Sequence, residues 1–390
     1  MKANLAHEKL TLYPVGRIDS LNAGETESEI NRLRTENPAA SLTLDMGEVS
    51  YISSAGLRVI LRLRKEEPSL RIVNVSSELY EIFDMTGFTE MLPVERAYRT
   101  LSVEGCEVIG RGSNGEVYRL DRDTIVKVYF NSDALPDIQR ERELARRALV
   151  LGIPTAIPYD VARVGDSYGS VFELLNAKSF GKLMVAEPEN RDTYIRLYVD
   201  LLKTIHGTEV KKEDMPDMKA VALRWAEFLR DHLPAEQAEK LVSLVRDVPE
   251  DLHMLHGDYH IKNVMMQDGE VLLIDMDTLC YGHPVFEFAS IFLAYRGFSE
   301  LDHGVTERFL GIPYELAGEI WDKTLRLYFE TEDGERLSAI ADKAKLIGYT
   351  RLMRRTIRRI GYEDAEGKAI IDNCKKQIGG LLSRVDTLVF

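Results

Sequence analysis

Residues Leu255 to Asp277 read LHGDYHIKNVMMQDGEVLLIDMD, and the reading of the chain turns on how this stretch divides. It opens with His256-Gly257-Asp258, reaches an amide at Asn263, and closes on an apolar run, Val271-Leu272-Leu273-Ile274, that delivers Asp275. Gln267-Asp268-Gly269 is a turn signal between two strand-like runs, so a hairpin brings Asn263 and Asp275 side by side. A carboxylate, an amide and a second carboxylate in that order are the parts of a phosphoryl-transfer site. Asp258 orients the attacking hydroxyl and can take its proton, while Asn263 and Asp275 hold Mg2+ against nucleotide phosphates.

The stretch resembles the catalytic and metal loops of the aminoglycoside phosphotransferase and choline kinase family, relatives of the eukaryotic protein kinases. The matching residues are His256, Asp258, Asn263, Ile274 and Asp275, and the likeness continues through Gly282-His283-Pro284-Val285-Phe286-Glu287. The family usually carries Asp at the last of these positions; Glu287 stands there, where the resemblance implies a residue bracing the catalytic loop. The resemblance also implies an α+β bilobal protein kinase-like domain over residues 99–390, with a β-rich N-lobe at about 99–176 and a mainly helical C-lobe at about 177–390. It implies ATP and Mg2+ as cofactors and a hydroxyl-bearing small molecule as acceptor. His256 then supports the loop, His260 lines the substrate side or has no such role, and Asp277 is a further metal or substrate contact.

Upstream, strand-like Val103 to Ile109 leads into Gly110-Arg111-Gly112-Ser113-Asn114-Gly115. The same glycine spacing serves dinucleotide sites, but those need a helix directly after the glycines. Here Glu116 to Leu120 alternates as a strand, Asp121-Arg122-Asp123 turns, and Thr124 to Phe130 is a further strand. Strand, glycine loop, strand is the kinase arrangement, in which Gly110, Gly112, Ser113, Asn114 and Gly115 fold over the phosphates. Lys127, between apolar neighbours, is then the lysine that reaches them. Its partner carboxylate belongs on the helix expected over Ile138 to Leu151, where Glu141 and Glu143 both qualify and the resemblance favours Glu141. Tyr168 to Leu175 reads as a strand entering the connector between lobes, and by resemblance the backbone of Glu173 to Leu175 meets the adenine edge.

Apolar residues at three- and four-residue spacing predict helices over Arg191–His206, Met218–His232, Ala235–Asp247, Glu315–Phe329, Ser338–Ile360 and Asp364–Val389. His206, at a helix end, is expected to satisfy a nearby backbone group. Arg351, Arg354, Arg355, Arg358 and Arg359 recur at helical steps. They form either a solvated face paired with acids or a surface that recruits an anionic substrate or an acidic partner.

Residues from about 7 to 96 alternate short strands and helices: strand Lys9–Val15, a turn at Gly16-Arg17-Ile18-Asp19, helix Asn22–Glu36, strand Leu42–Asp45, helix Ala55–Lys65, strand Leu70–Val75 and helix Ser77–Met85. This is a small α/β layer. Ser53 and Ser54, just before a helix, are able to cap it, and a helix N-terminus equally suits a covalent phosphate. Residues 1–98 resemble a STAS domain, the fold of bacterial anti-sigma-factor antagonists, through Val15 to Asp19, Leu44-Asp45, Ser54 to Leu57 and Ile82 to Phe88. In that family the phosphorylated serine aligns with Ser54 and usually follows an Asp, which Ser53 replaces. The resemblance implies a protein partner for this domain.

The 390 residues suffice for two or three domains, and 45% hydrophobic with 29% charged residues is an ordinary globular composition. A net charge of −14 argues against nucleic acid as partner. Three scattered cysteines fit a reducing cytoplasm better than a disulfide framework, and no apolar run approaches membrane-spanning length. Three functions remain open on these residues: a small-molecule phosphotransferase, a protein kinase acting on Ser54 of its own or a partner domain, and a binding module that senses nucleotide.

Overall fold

The computed structural model describes residues 1–6, 9–38, 41–112, 114–131 and 134–390. The chain divides into two compact units, Met1–Leu101 and Ser102–Phe390. Among the described residues no helix is long and apolar enough to cross a membrane.

In the first unit a sheet runs in the spatial order Lys2–Ala6, Lys9–Tyr13, Ser41–Asp45, Arg71–Val75, Val94–Arg96. The first pair is antiparallel and the others are parallel, with helices Ala23–Glu36, Ser54–Glu66 and Ser77–Met85 in the connections. Leu12, Leu44, Ile72 and Phe83 lie in its fully buried core. The expected turn at Gly16 to Asp19 is instead mostly strand. Val15–Ile18 pairs in parallel with Glu48–Ile52, a strand that sequence reading missed. Pro14, which has no N–H to give a ladder, ends the preceding strand at Tyr13 and lets the chain change sheets.

The second unit begins with an antiparallel meander of strands Glu107–Arg111, Gly115–Arg119 and Thr124–Tyr129, continued in space by Ser167–Glu173 and Pro158–Val164. Strand starts four residues later than Val103, and Pro158–Val164 was not foreseen. Helix Leu135–Val150 follows the third strand. The remainder is mainly helical, with Arg191–His206 found as expected. Met218–Phe228 gives way to a short 3-10 turn at Leu229–Asp231, and the last helix ends at Leu382 rather than Val389.

One helix central to the site, Val285–Tyr295, was absent from the sequence reading for a physical reason. All of its residues are buried, so it has no polar face and no amphipathic period to detect. The long helix Gly334–Arg359 packs against it.

Candidate active site

The hairpin that carries the site is Val264–Gln267 with Glu270–Leu273, closed by Asp268 and Gly269 at positive φ of 50° and 88°. Two residues at positive φ give the turn whose twist matches the strands. Ile274 N–H donates to Asn263 O at 2.9 Å, so the ladder extends to the two residues flanking the cleft. Asp275 then adopts the left-handed region, φ 65°, which swings its carboxylate out of the strand. A non-glycine residue there carries local strain that the surrounding structure must hold.

Asp258 sits in a loop tied down on every side. The Asn263 side-chain amide donates to Asp258 O at 3.0 Å, fixing the Asp258-to-Asn263 turn. His256 Nδ1 accepts the Asp258 N–H at 3.3 Å, so its Nε2 carries the proton and donates to Ile274 O at 3.2 Å. One ring thus links the loop to the strand that delivers Asp275. Gly257 has φ 82°, and a Cβ there would stand 2.6 Å from Thr278 O. Only glycine passes.

The buried helix Val285–Tyr295 braces this loop with three polar groups on one face. Glu287, fully buried, accepts from His256 N–H at 2.5 Å and Gly257 N–H at 3.1 Å. Ser290 Oγ donates to Gly257 O at 2.9 Å, and Ile261 N–H donates to the Tyr295 hydroxyl at 3.0 Å. Steps of three and eight residues fall on one helical face. Ser290 and Tyr295 escaped sequence reading; the signal was two polar residues three apart, Glu287 and Ser290, in an otherwise apolar run.

His206 corrects an expectation. Its neighbours are side chains, with Nδ1 2.7 Å from the Tyr328 hydroxyl and Nε2 3.8 Å from Glu287, because the ring is packed edge to face against Phe288 and Tyr328 in the core. His260 Nε2 lies 3.5 Å from Asp258 Oδ2, and its ring meets Phe309 edge to face. Burial pushes the Asp258 carboxyl up, but the hydrogen bond and charge of His260, with Arg351 and His256, outweigh it and hold the pKa at about 2. Asp277 goes the other way, raised to about 6 by burial and by the neighbouring Asp275 charge.

Across the cleft, Lys127 Nζ lies 2.9 Å from Glu141 Oε1 and 3.2 Å from Asp275 Oδ1. Burial disfavours the ammonium, but the Asp275 and Glu141 charges dominate and lift its pKa above the ordinary lysine value. Glu141 is buried; Glu143 instead pairs with Arg146 and Arg147 on its own helix. In the glycine loop, Gly112 N–H donates to Gly115 O at 2.9 Å and Phe130 N–H to Asn114 O at 3.0 Å. Gly110 ends in strand, and Ser113 lies outside the described residues. At the connector, Glu173 N–H donates to Ile157 O and Leu174 N–H to Asp123 O, so of the three expected backbone contacts those two amides are already engaged.

In the first unit Ser53 is the helix cap, accepting from Ala55 N–H at 3.2 Å. Ser54 is therefore the first helical residue rather than a cap, and it is exposed. Of the two alternatives for the arginine stripe, the face paired with acids is not the one found. Among the described residues the ion pairs of helix Gly334–Arg359 involve Asp342, and none of Arg351, Arg354, Arg355, Arg358 or Arg359 has a carboxylate partner.

A β-rich lobe with a glycine loop and lysine, facing a helical lobe with the Asp258 and Asp275 loops, defines a kinase-like phosphotransferase. Residues 105–318 match the family model described as phosphotransferase enzyme family, and residues 2–102 match that of the STAS domain. The chain belongs to this family of ATP-dependent phosphotransferases, with a STAS domain ahead of the catalytic one. The STAS region is 34% identical over 83 residues to BtrV of Bordetella bronchiseptica, described as an anti-sigma factor antagonist, covering 20% of this chain and 71% of that protein. Among solved structures, a thermostable mutant of aminoglycoside phosphotransferase APH(4)-Ia in apo form is similar with a TM-score of 0.50 and 13% identity, over 71% of this chain and 94% of that one. A choline/ethanolamine kinase family protein from Mesorhizobium loti has a TM-score of 0.48 and 14% identity, over 72% and 92% of the two chains.

Proposed function

We propose that the second unit transfers the γ-phosphate of ATP to a hydroxyl of a small molecule, with Mg2+ as cofactor. The observation that carries the reading is the Lys127 ammonium held between Glu141 of one lobe and Asp275 of the other, at 2.9 and 3.2 Å. That pairing sets a cation where the phosphates of a nucleotide lying in the cleft need one.

The donors present suit a hard divalent cation. Asn263 and Asp275 offer an amide and a carboxylate oxygen, and Asp277, raised to about 6 by burial first and by the Asp275 charge second, is a further carboxylate beside them. Asn263 and Asp275 would hold Mg2+, which neutralises charge on the phosphate oxygens when bound. Gly110, Gly112, Ser113, Asn114 and Gly115 would supply backbone to the phosphates, and Glu173 O with Leu175 N–H the adenine contacts. Asp258 positions the acceptor hydroxyl. With a pKa of about 2 it is a weak base in the ground state, so it takes the proton late, once the oxygen–phosphorus bond has begun to form. Glu287, His256 and His206 hold that loop rather than react.

Replacing Asp275 by Ala should abolish magnesium-dependent ATP turnover while leaving the fold intact; unchanged turnover rejects the metal assignment. The STAS domain is the interaction module of the protein, and its binding of a protein partner is measured by pull-down with the isolated partner domain. The free thiols of Cys106, Cys280 and Cys374 are in keeping with a cytoplasmic enzyme.

A second reading rests on Ser54, exposed at the N-terminus of its helix, where phosphate is electrostatically favoured. In it the kinase unit phosphorylates Ser54 of its own or a partner STAS domain. Mass spectrometry after incubation with labelled ATP tests it: phosphate on Ser54 that disappears in Asp258→Asn supports this reading, and an unmodified chain removes it.

A further inference from the structure

The arginines of helix Gly334–Arg359 form a cationic cluster with no ion-pair partner among the described residues. Arg358 and Arg359 lie in the last turn, where a helix favours cations, but Arg351, Arg354 and Arg355 precede it. Three of the guanidiniums lie over aromatic rings: Arg351 is 5.6 Å from the Trp225 centroid, Arg354 5.8 Å from Phe228, and Arg355 5.4 Å from Phe298. Burial and then the charges of Arg358 and Arg224 bring Arg354 below the usual guanidinium range. Burial, Arg359 and Arg351 do the same to Arg355. Like charges gathered beside aromatic rings raise the energy of the protein alone and lower it when an anion arrives.

The cluster adjoins the reacting centre. Arg351 Nη1 donates to Gly257 O at 3.1 Å, one residue before Asp258. The Asp258 carboxylate is the acid whose charge reaches both Arg351 and Arg355, and it already faces His260. One carboxylate so engaged leaves the arginines in excess.

We propose, resting on the phosphotransfer reading above, that Arg351, Arg354, Arg355 and Arg358 form the acceptor subsite and that the acceptor is anionic: a small alcohol bearing a carboxylate or phosphate near the hydroxyl that is phosphorylated. A guanidinium presents paired N–H groups in the geometry of carboxylate or phosphate oxygens. The anchored alcohol then places its hydroxyl at Asp258. In the transfer, the hydroxyl oxygen forms a bond to the γ-phosphorus, the bond to the β–γ bridging oxygen breaks with its electron pair leaving on ADP, and the hydroxyl proton passes to Asp258 and on to solvent. Cationic amino alcohols and amino sugars are repelled from the same subsite.

The test uses the full chain saturated with magnesium and the non-hydrolysable analogue AMP-PNP, titrated with glycerate, glycerol 3-phosphate, glycerol or choline while Trp225 emission is followed; Trp321, which is buried, is replaced by Phe to isolate the signal. The expected result is saturable quenching or enhancement by one or both anions. Glycerate against glycerol 3-phosphate distinguishes a carboxylate from a phosphate subsite. Binding should weaken by about tenfold, roughly 1.4 kcal/mol, in Arg355→Ala and in Arg358→Ala, with no response to glycerol or choline. In turnover assays the same variants raise KM for the anionic acceptor with kcat changed little. Saturation by choline, no saturation by either anion, or anion binding unaltered in both arginine variants overturns the proposal. Loss of AMP-PNP binding itself, measured by calorimetry on the wild type, instead overturns the phosphotransfer reading, so the two failures are told apart.

Discussion

The Glu287 carboxylate accepts the backbone N–H of Gly257 from a helix thirty residues further along the chain, and it does so with no exposure to water. It also takes the His256 N–H, so the residue that stands in place of the family's usual Asp grips the loop through main chain rather than side chains. Removing it leaves two buried donors without acceptors. Glu287→Ala should cost about 3 kcal/mol or more of stability by urea unfolding. Misplacing Asp258 should lower kcat by about a hundredfold. Wild-type kcat in that variant would show that the loop holds its shape without the brace.

The same carboxyl predicts a pH signature. Burial pushes it up, but His206, His256 and the Gly257 N–H together hold its pKa below the ordinary value of 4.5. A carboxyl depressed in the folded state stabilises above the unfolded pKa and loses that contribution as pH falls through the folded one. The stability difference between wild type and Glu287→Gln should therefore be constant above about pH 5 and shrink steadily as pH is lowered below about 4.5. Equilibrium unfolding at a series of pH values checks this, and a difference independent of pH counts against it.

The glycines of the phosphate loop separate into two kinds. A Cβ on Gly115 would stand 2.2 Å from Val128 O, inside the sheet, whereas one on Gly112 comes no closer than 3.9 Å to any heavy atom among its nearest neighbours. Gly115→Ala should destabilise the domain by roughly 1–3 kcal/mol, as overpacking does, and lower its melting temperature. Gly112→Ala should leave melting within about 0.5 kcal/mol of wild type and act on KM for ATP instead. Equal thermal losses in both variants would refute the distinction.

Lys127 and Glu141 should behave as a unit. Lys127→Met leaves the buried Glu141 without its cation, and Glu141→Gln frees Lys127 to swing wholly onto Asp275. Each alone should reduce kcat/KM for ATP, Lys127→Met the more severely. The double variant should show a coupling energy of about 1–3 kcal/mol in a double-mutant cycle on kcat/KM. Additive losses would mean the ion pair does not position the lysine.

In the STAS domain, Ser53→Ala removes the cap of helix Ser54–Glu66 and should cost about 1 kcal/mol in chemical denaturation, whereas Ser54→Ala should cost less than about 0.5 kcal/mol. The reverse order would place the cap on the wrong serine.

What the sequence made legible was whatever depends on local spacing. The hairpin from Val264 to Leu273, its Asp268-Gly269 turn and the delivery of Asp275 follow from strand runs around a turn signal. The preference for Glu141 over Glu143 came from resemblance, and in the structure burial and the Lys127 contact separate the two. The missing parts depend on packing. Helix Val285–Tyr295 leaves no periodic trace because every face is covered, and Ser290 and Tyr295 become loop ligands only once that helix is docked. For the arginine stripe, helical spacing alone does not say where the nearest carboxylates fall, and among the described residues none forms an ion pair with it.

Two adjoining helices hold opposite duties, and their burial makes them unequal in their tolerance of substitution. The helix that carries Glu287, Ser290 and Tyr295 has no residue open to water, so almost any substitution there disturbs the catalytic loop. The helix that carries Arg355 and Arg358 keeps those side chains exposed. On the proposed acceptor assignment, substitutions along that exposed face alter which alcohol is held while the buried brace beside it keeps the catalytic loop in place.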